Sequence, residues 1–233
     1  MTDAPSAALP RAVLFDLDGT LVDSAPGIAE VINHVLVPLG CPPLALAAVR
    51  EMIGDGAPRL LERALAAHAL ALPPAEEDIL LTRYLALLEA SPPGPACLFP
   101  GATEVVSALA AEGVALGLCT NKPVAATRSA LRALRLDDRF GVVLGGDSLS
   151  RRKPDPEPLL AALAELGRTV EGAVMIGDST ADIDAARAAG MASIAVRYGY
   201  SRKPVDGLGA DLVIDRLSDL AGALRRLRFQ RNR

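Results

Sequence analysis

The chain has 233 residues, 51% of them hydrophobic and only 3% aromatic, so it can bury a sizeable core built mainly from Ala, Leu, Val and Ile. A net charge of −4 and an isoelectric point near 5.3 argue against a general nucleic-acid binder. The three cysteines, Cys41, Cys97 and Cys119, lack metal-ligand spacing and cannot all pair, which fits a reducing, cytoplasmic setting.

Residues 1–10 are rich in Ala, Pro and Ser without a period and read as a frayed leader. No basic flank precedes an apolar stretch there, and no apolar run is long enough to span a bilayer. The expectation is a soluble, unsecreted protein with no membrane partner. Val13-Leu14-Phe15 is a short apolar run that predicts a strand over 12–16, buried on both faces. It runs into Asp16-Leu17-Asp18-Gly19-Thr20, where glycine lets the chain turn sharply and brings two carboxylates together. Such a pair is either an acidic turn or a site where a cation or shared proton offsets the repulsion.

Asp23-Ser24 with Pro26 predicts a capped helix start, and Ile28, Val31, Ile32, Val35 and Leu36 form its apolar face. From Leu44 to Leu88 no strand is expected. A helix over 57–72 would pack through Leu60, Leu61, Ala64, Leu65 and His68, and one over 76–89 through Ile79, Leu80, Tyr84, Leu87 and Leu88. The proline-rich 91–95 reads as a semi-rigid return linker.

Helices at 102–112, 123–135, 156–166, 180–189 and 217–227 then alternate with strands at 114–119, 141–144, 173–177, 192–196 and 211–214. Alternation of this kind predicts an α/β fold: a Rossmann-like, mostly parallel sheet with helices on both faces. The core would comprise 1–22 and 98–233, interrupted by an all-helical cap over 23–97. Five arginines between Arg225 and Arg233 sit at the end of the last helix, where cations suit the dipole, and read as a solvated tail.

Three further stretches end strands or open helices with polar residues: Leu118-Cys119-Thr120-Asn121, Lys153-Pro154-Asp155-Pro156, and Gly177-Asp178-Ser179-Thr180-Ala181-Asp182. Together with Asp16–Thr20, and in this order, they resemble the signature motifs of the haloacid dehalogenase superfamily, specifically its aspartate-dependent phosphatases. The match spans residues 11 to about 200. A lone Lys-Pro would ordinarily be a surface turn; its place in the series raises Lys153.

The resemblance implies a Mg²⁺-dependent phosphatase of a small phosphate monoester. Asp16 would be the nucleophile and form an aspartyl-phosphate. Asp18 would be the acid and then the base, unless it only shapes the loop. Dehalogenase members lack an aspartate at the Asp18 position, which favours phosphoryl chemistry. Mg²⁺ would be held by Asp16, Asp178 and the main-chain carbonyl of Asp18. Thr120 and Asn121 would bond phosphoryl oxygens, and Lys153 would neutralise their charge. Asp182 would brace Lys153 from behind the ligands or, alternatively, cap its helix.

Ile53-Gly54-Asp55-Gly56-Ala57, with Arg59 and Glu62-Arg63-Ala64-Leu65, is similar to the cap loop of phosphoglycolate phosphatases. Arg59 would grip a substrate carboxylate bidentately, or else be an exposed helix arginine. That group often has an amide where this chain carries Asp55. The lysines are Lys122, Lys153 and Lys203, so the cap has none. This excludes a phosphonoacetaldehyde hydrolase, which needs a cap lysine for its Schiff base, and disfavours a sugar-phosphate mutase, which tends to use one.

There is no G-x-x-x-x-G-K-[ST] loop or G-x-S-x-G elbow, and Gly207-Leu208-Gly209 lacks the third glycine of a dinucleotide fingerprint. His34 and His68 have no partner at metal spacing. The leading reading is 2-phosphoglycolate hydrolysis by a monomer or homodimer. The alternatives are a sugar-phosphate phosphatase or mutase, and an inactive binding protein on the same fold.

Overall fold

The computed structural model describes residues 9–227. Most of the leader expected at 1–10 lies outside them, as do Arg228, Arg231 and Arg233 of the arginine-rich end. In chain order, strand β1 (Ala12–Phe15) is followed by helices α1 (Ala25–Leu36), α2 (Leu46–Arg50), α3 (Ala57–Ala67) and α4 (Pro74–Ala90). Then come α5 (Ala102–Ala111), β2 (Ala115–Cys119), α6 (Val124–Leu134), β3 (Val142–Leu144), α7 (Glu157–Glu165) and β4 (Ala173–Gly177). The chain closes with α8 (Thr180–Ala189), β5 (Ala192–Val196), β6 (Leu212–Ile214) and α9 (Leu220–Arg226).

The six predicted strands form one parallel sheet in the order β3-β2-β1-β4-β5-β6. β1 is central, with Phe15 in register with Leu118 of β2 and Ile176 of β4. Its four residues are wholly buried, because helices cover both faces of a parallel sheet. Strand side chains alternate, so Val13 and Phe15 pack with α5, α6 and α9, while Ala12 and Leu14 pack with α7 and α8.

Helices α1–α4 form an all-helical cap inserted after β1, with its own apolar cluster. The α1 face Ile28, Val31, Ile32, Val35 and Leu36 is buried as its periodicity predicts. Each such side chain contributes about 1.5–3 kcal/mol, so a polar group at Ile32 would both lose that term and be left without a partner. Ala126 of α6 and Tyr200 of the core join the cap cluster, so the cap is seated on the sheet domain.

Several local expectations are corrected. Ser24 makes no side-chain cap, and its buried hydroxyl has no partner. The neighbouring Asp23 instead accepts hydrogen bonds from the Tyr200 hydroxyl at 2.5 Å and from Arg50 at 3.2 Å. The helix expected over 57–72 stops at Ala67. Ala69 turns left-handed at φ 50°, and the Leu70 N–H returns to the Leu65 carbonyl, a Schellman-type stop built without glycine. Ile79 is 70% exposed, because α4 buries Leu80, Tyr84 and Leu88 at four-residue spacing and Ile79 falls off that stripe. A short helix, α2, fills part of the stretch before α3, and the last helix begins with a 3-10 turn at Leu217–Asp219.

Candidate active site

The chain moves outward from β1 to β2 to β3 and then crosses back to β4 on the other side of β1. That reversal opens a crevice at the carboxyl ends of β1, β2 and β4, where open α/β sheets place ligands. Asp16 extends β1, its N–H donating to the Ile176 carbonyl at 2.9 Å. Gly19, at φ 82°, lets the loop turn, and a Cβ there would lie 2.5 Å from Asp178 Oδ2. Only glycine satisfies both demands.

Lys153 comes from the loop before α7 and is 2% exposed. Its ammonium donates to the Cys119 carbonyl at 2.6 Å and to Asp182 Oδ1 at 2.5 Å, and lies 3.2 Å from Asp16 Oδ1 without hydrogen-bond geometry. Burial alone would discharge it, but Asp16 and Asp182 outweigh that effect and hold the ammonium above its usual range. The other Asp182 oxygen accepts the Ser179 N–H at 3.0 Å and the Ser179 hydroxyl at 2.6 Å, a capping box that starts α8. Both sequence readings of Asp182 therefore describe the same carboxylate. Gly177 makes room for it, since a Cβ there would meet Asp182 at 2.3 Å.

Asp178 follows β4, is 2% exposed, and accepts the Tyr200 N–H at 2.6 Å and the Thr20 hydroxyl at 3.4 Å. Burial, with Asp182 and Asp16 beside it, pushes this carboxyl well above its ordinary range. Burial likewise pushes Asp16 up to about 6 against the pull of Lys153 and the Thr120 hydroxyl, with Asp182 adding to the rise. Asp16, Asp178 and Asp182 bring ligand atoms within 4.8 Å of one another, and Asp16 Oδ1 is buried without a hydrogen-bond partner. One ammonium among three buried carboxylates leaves the cluster short of positive charge. Its all-oxygen donor set, with an orphaned carboxylate oxygen, fits a hard divalent cation.

Above these groups lies a cavity with about 40 Å³ open to the centre of a water molecule, roofed by cap side chains that include Ile53, Leu60, Tyr84 and Leu88. Asp16, Asp18, Thr120, Asn121 and Lys122 line its floor and wall. The Asp18 carboxylate takes two contacts from Lys122 Nζ, at 3.2 and 3.3 Å. Thr120 Oγ1 accepts the Lys122 N–H at 3.3 Å. Asn121 is engaged differently from the sequence expectation. Its side-chain amide donates to the Gly54 carbonyl at 3.0 Å and the Lys153 carbonyl at 2.9 Å, tying the cap loop to the Lys153 loop. Both amide hydrogens are thereby taken, which leaves none for a phosphoryl oxygen.

Arg59 is not brought to the cavity. Its side chain is 61% exposed, pairs with Glu62 at 2.5 Å, and lines a neighbouring groove with Asp55, Arg63, Arg152 and the Lys153-Pro154 turn. Asp55 likewise does not line the cavity and is held by Arg63 and Arg202. Sequence reasoning missed three groups. Lys122 was detectable as one of three lysines, directly following Thr120-Asn121. Tyr84 was read only as a packing residue, and the main-chain N–H of Tyr200 left no side-chain signal.

The sheet order, the inserted cap and the aspartate cluster define a capped Rossmann-like hydrolase. A model of the haloacid dehalogenase-like hydrolases matches residues 10–190, and the chain belongs to that family. Within it the chain is a phosphatase of the phosphoglycolate phosphatase-like kind. It is 45% identical over 216 residues to phosphoglycolate phosphatase of Rhodospirillum rubrum, covering 91% of this chain and 90% of that one. The structure of a predicted phosphoglycolate phosphatase from Haemophilus somnus superposes with a TM-score of 0.84 at 31% identity, covering 91% of this chain and 97% of that one. A mutant of CbbY from Rhodobacter sphaeroides, solved with xylulose-(1,5)-bisphosphate, gives a TM-score of 0.76 at 26% identity, covering 94% and 100%. Among the described residues no helix is long and apolar enough to cross a membrane.

Proposed function

We propose that this phosphatase hydrolyses 2-phosphoglycolate to glycolate and phosphate through an aspartyl-phosphate on Asp16, with Mg²⁺ as its cation. The observation that carries the reading is the buried Asp16 carboxylate, with Oδ1 unpartnered, at the floor of a small cavity and 3.2 Å from an ammonium. An Asp16 oxygen attacks phosphorus while the ester P–O bond breaks, and Asp18 gives its proton to the departing glycolate oxygen. Asp18 then takes a proton from the water that attacks the aspartyl-phosphate, and the bond from phosphorus to Asp16 breaks.

Lys153 offsets charge on the phosphoryl oxygens, and Thr120 hydrogen-bonds to them. Asp16, Asp178 and the Asp18 main-chain carbonyl would hold Mg²⁺. Bound there, it would supply the positive charge that lets a dianionic phosphate approach two carboxylates. The cap roof excludes water from the attack. The cap roof closes over the reacting carboxylates, which supports a short acid as substrate, whereas the CbbY likeness supports a sugar phosphate.

The test is rapid quenching with phosphorus-labelled 2-phosphoglycolate, alongside a panel of phosphate esters compared by kcat/KM with Mg²⁺ and with chelator. The expected result is a hydroxylamine-labile label on the protein, a preference for phosphoglycolate, and activity lost with chelator and restored by Mg²⁺. Turnover in excess chelator would remove the metal, absence of the label would remove the intermediate, and preference for a sugar phosphate would remove the substrate.

A further inference from the structure

We infer that Lys122 Nζ, with the Tyr84 hydroxyl contributed by the cap, forms the subsite that reads a second negative group on the substrate. This inference rests on the phosphatase reading of the same cavity and extends it to residues that the sequence resemblance left without a role.

Among the described residues Lys122 is the one cationic side chain lining the cavity, whose remaining wall is largely apolar, with Ile28, Leu60 and Leu88 in it. It is 7% exposed, so its charge is closed off from solvent and from any partner outside the cavity. An ammonium has three donors. Among the described residues Lys122 Nζ donates to Asp18 and to no other group. A donor therefore remains for a molecule in the cavity.

Tyr84 supplies the second, independent observation. It is 1% exposed and lines the same cavity from α4, which brings a phenol to the cap side of that cavity. A buried ammonium with a donor to spare and a phenol, lining one small cavity, are complementary to a carboxylate.

Their placement fits an ester only a few atoms long. The Lys122 N–H is bonded to Thr120 Oγ1 at 3.3 Å, so the lysine stem leaves the same turn that presents the Thr120 hydroxyl. One end of a ligand at Thr120 and Asp16 puts its other end against Lys122 without leaving the cavity. Arg59 offers no competing cation there, being on the exposed side of α3 and paired with Glu62. The ligand class is therefore a phosphate monoester whose short carbon chain ends in a carboxylate.

The experiment compares kcat/KM for 2-phosphoglycolate with that for 2-hydroxyethyl phosphate, which lacks the second charge, in the wild type, Lys122→Met and Tyr84→Phe. The ratio cancels any general effect of leaving Asp18 without its partner. In Lys122→Met the ratio should fall about tenfold to a hundredfold, the loss of a charge-assisted contact, with the KM for phosphoglycolate carrying the change. Tyr84→Phe removes one oxygen and no packing, so it folds, and the ratio should fall about three- to tenfold. Ratios within about twofold of wild type in Tyr84→Phe and in folded Lys122→Met would overturn the subsite, as would a wild type indifferent to the second charge.

The outcome also separates this inference from the choice of phosphoglycolate. If another carboxylate-bearing ester outperforms phosphoglycolate and the variants lose that preference, the subsite stands and the substrate falls. If the wild type prefers phosphoglycolate and the variants keep the preference, the substrate stands and the subsite falls.

Discussion

Asp182 Oδ1 lies 2.5 Å from Lys153 Nζ, with both side chains closed to solvent. The same carboxylate caps α8 through Ser179, so the helix start and the ammonium beside Asp16 share one anchor. Lys153 has no freedom to drift, because the Cys119 carbonyl holds it from β2 while Asp182 holds it from α8. A charge fixed in this way is already positioned when the phosphoryl group arrives, which is what electrostatic catalysis requires.

Asp182→Ala should therefore damage both stability and rate, although Asp182 does not line the cavity. Breaking a buried ion pair costs about 3–5 kcal/mol. For a chain of this size that lowers Tm by about 6–20 °C. Asp182→Asn keeps an acceptor for the Ser179 N–H, so it should lose less Tm while losing a similar share of kcat. Thermal melts and steady-state rates on the two variants check this. Wild-type kcat in either variant would show that Lys153 needs no brace.

Asp16→Asn should abolish turnover and leave the fold intact, since the amide is near-isosteric but a poor nucleophile. Asp18→Asn should cost about 10²–10⁴-fold for an alkyl ester if Asp18 moves the proton. The loss should be smaller for an aryl phosphate, whose leaving group needs less protonation. Equal losses on both substrates would take the proton-transfer role away from Asp18.

How much of this was legible depended on what the residue pattern encodes. The strands could be read because each is a short, mainly apolar run, and β1 and β4 end in the aspartates that later converge. Asp182 was legible as both brace and cap because its spacing from Asp178 places it in the first turn of α8. Side-chain direction in loops was not legible. Nothing in Thr120-Asn121-Lys122 says that the lysine meets Asp18 while the asparagine turns to the Gly54 and Lys153 carbonyls. Nor could Ser24 be known to leave its hydroxyl unpaired, because that depends on Tyr200, 176 residues later, which takes the neighbouring Asp23.

Asp55 gives a prediction in pH. Its carboxylate sits on the cap loop and is held by Arg63 of α3 and by Arg202 of the core, at 2.5 Å from the latter. Burial would raise it, but the hydrogen bonds from Arg202 and Arg63 outweigh burial and hold it below its ordinary 3.8. A carboxylate depressed on folding stabilises fully above its unfolded pKa and loses that contribution as pH falls through the folded value. The group is partly exposed, so its contribution is about 1 kcal/mol, or about 2–4 °C in Tm. The Tm gap between wild type and Asp55→Asn should be constant above about pH 4 and close below it. A gap that widens with acid would contradict the pairing of Asp55 with Arg63 and Arg202.

Arg59 separates what a motif implies from what a helix allows. The cap-loop likeness placed it at a substrate carboxylate. In α3, however, Ala57, Leu60, Leu61 and Ala64 form the buried face, and Arg59 lies about 200° round the helix from Ala57 and from Leu61. Arg59 and Glu62 consequently share the outer surface and pair with each other. Arg59→Ala should leave the KM for phosphoglycolate within about twofold of wild type, because no contact to the ester is lost. A bidentate grip on the carboxylate would instead raise that KM about tenfold to a hundredfold and spare an uncharged aryl phosphate. That selective rise in Arg59→Ala would mean that α3 rolls its outer face inward when substrate binds. Equal KM values in Arg59→Ala and wild type, beside a raised value in Lys122→Met, would locate carboxylate reading on the β2 side of the cavity.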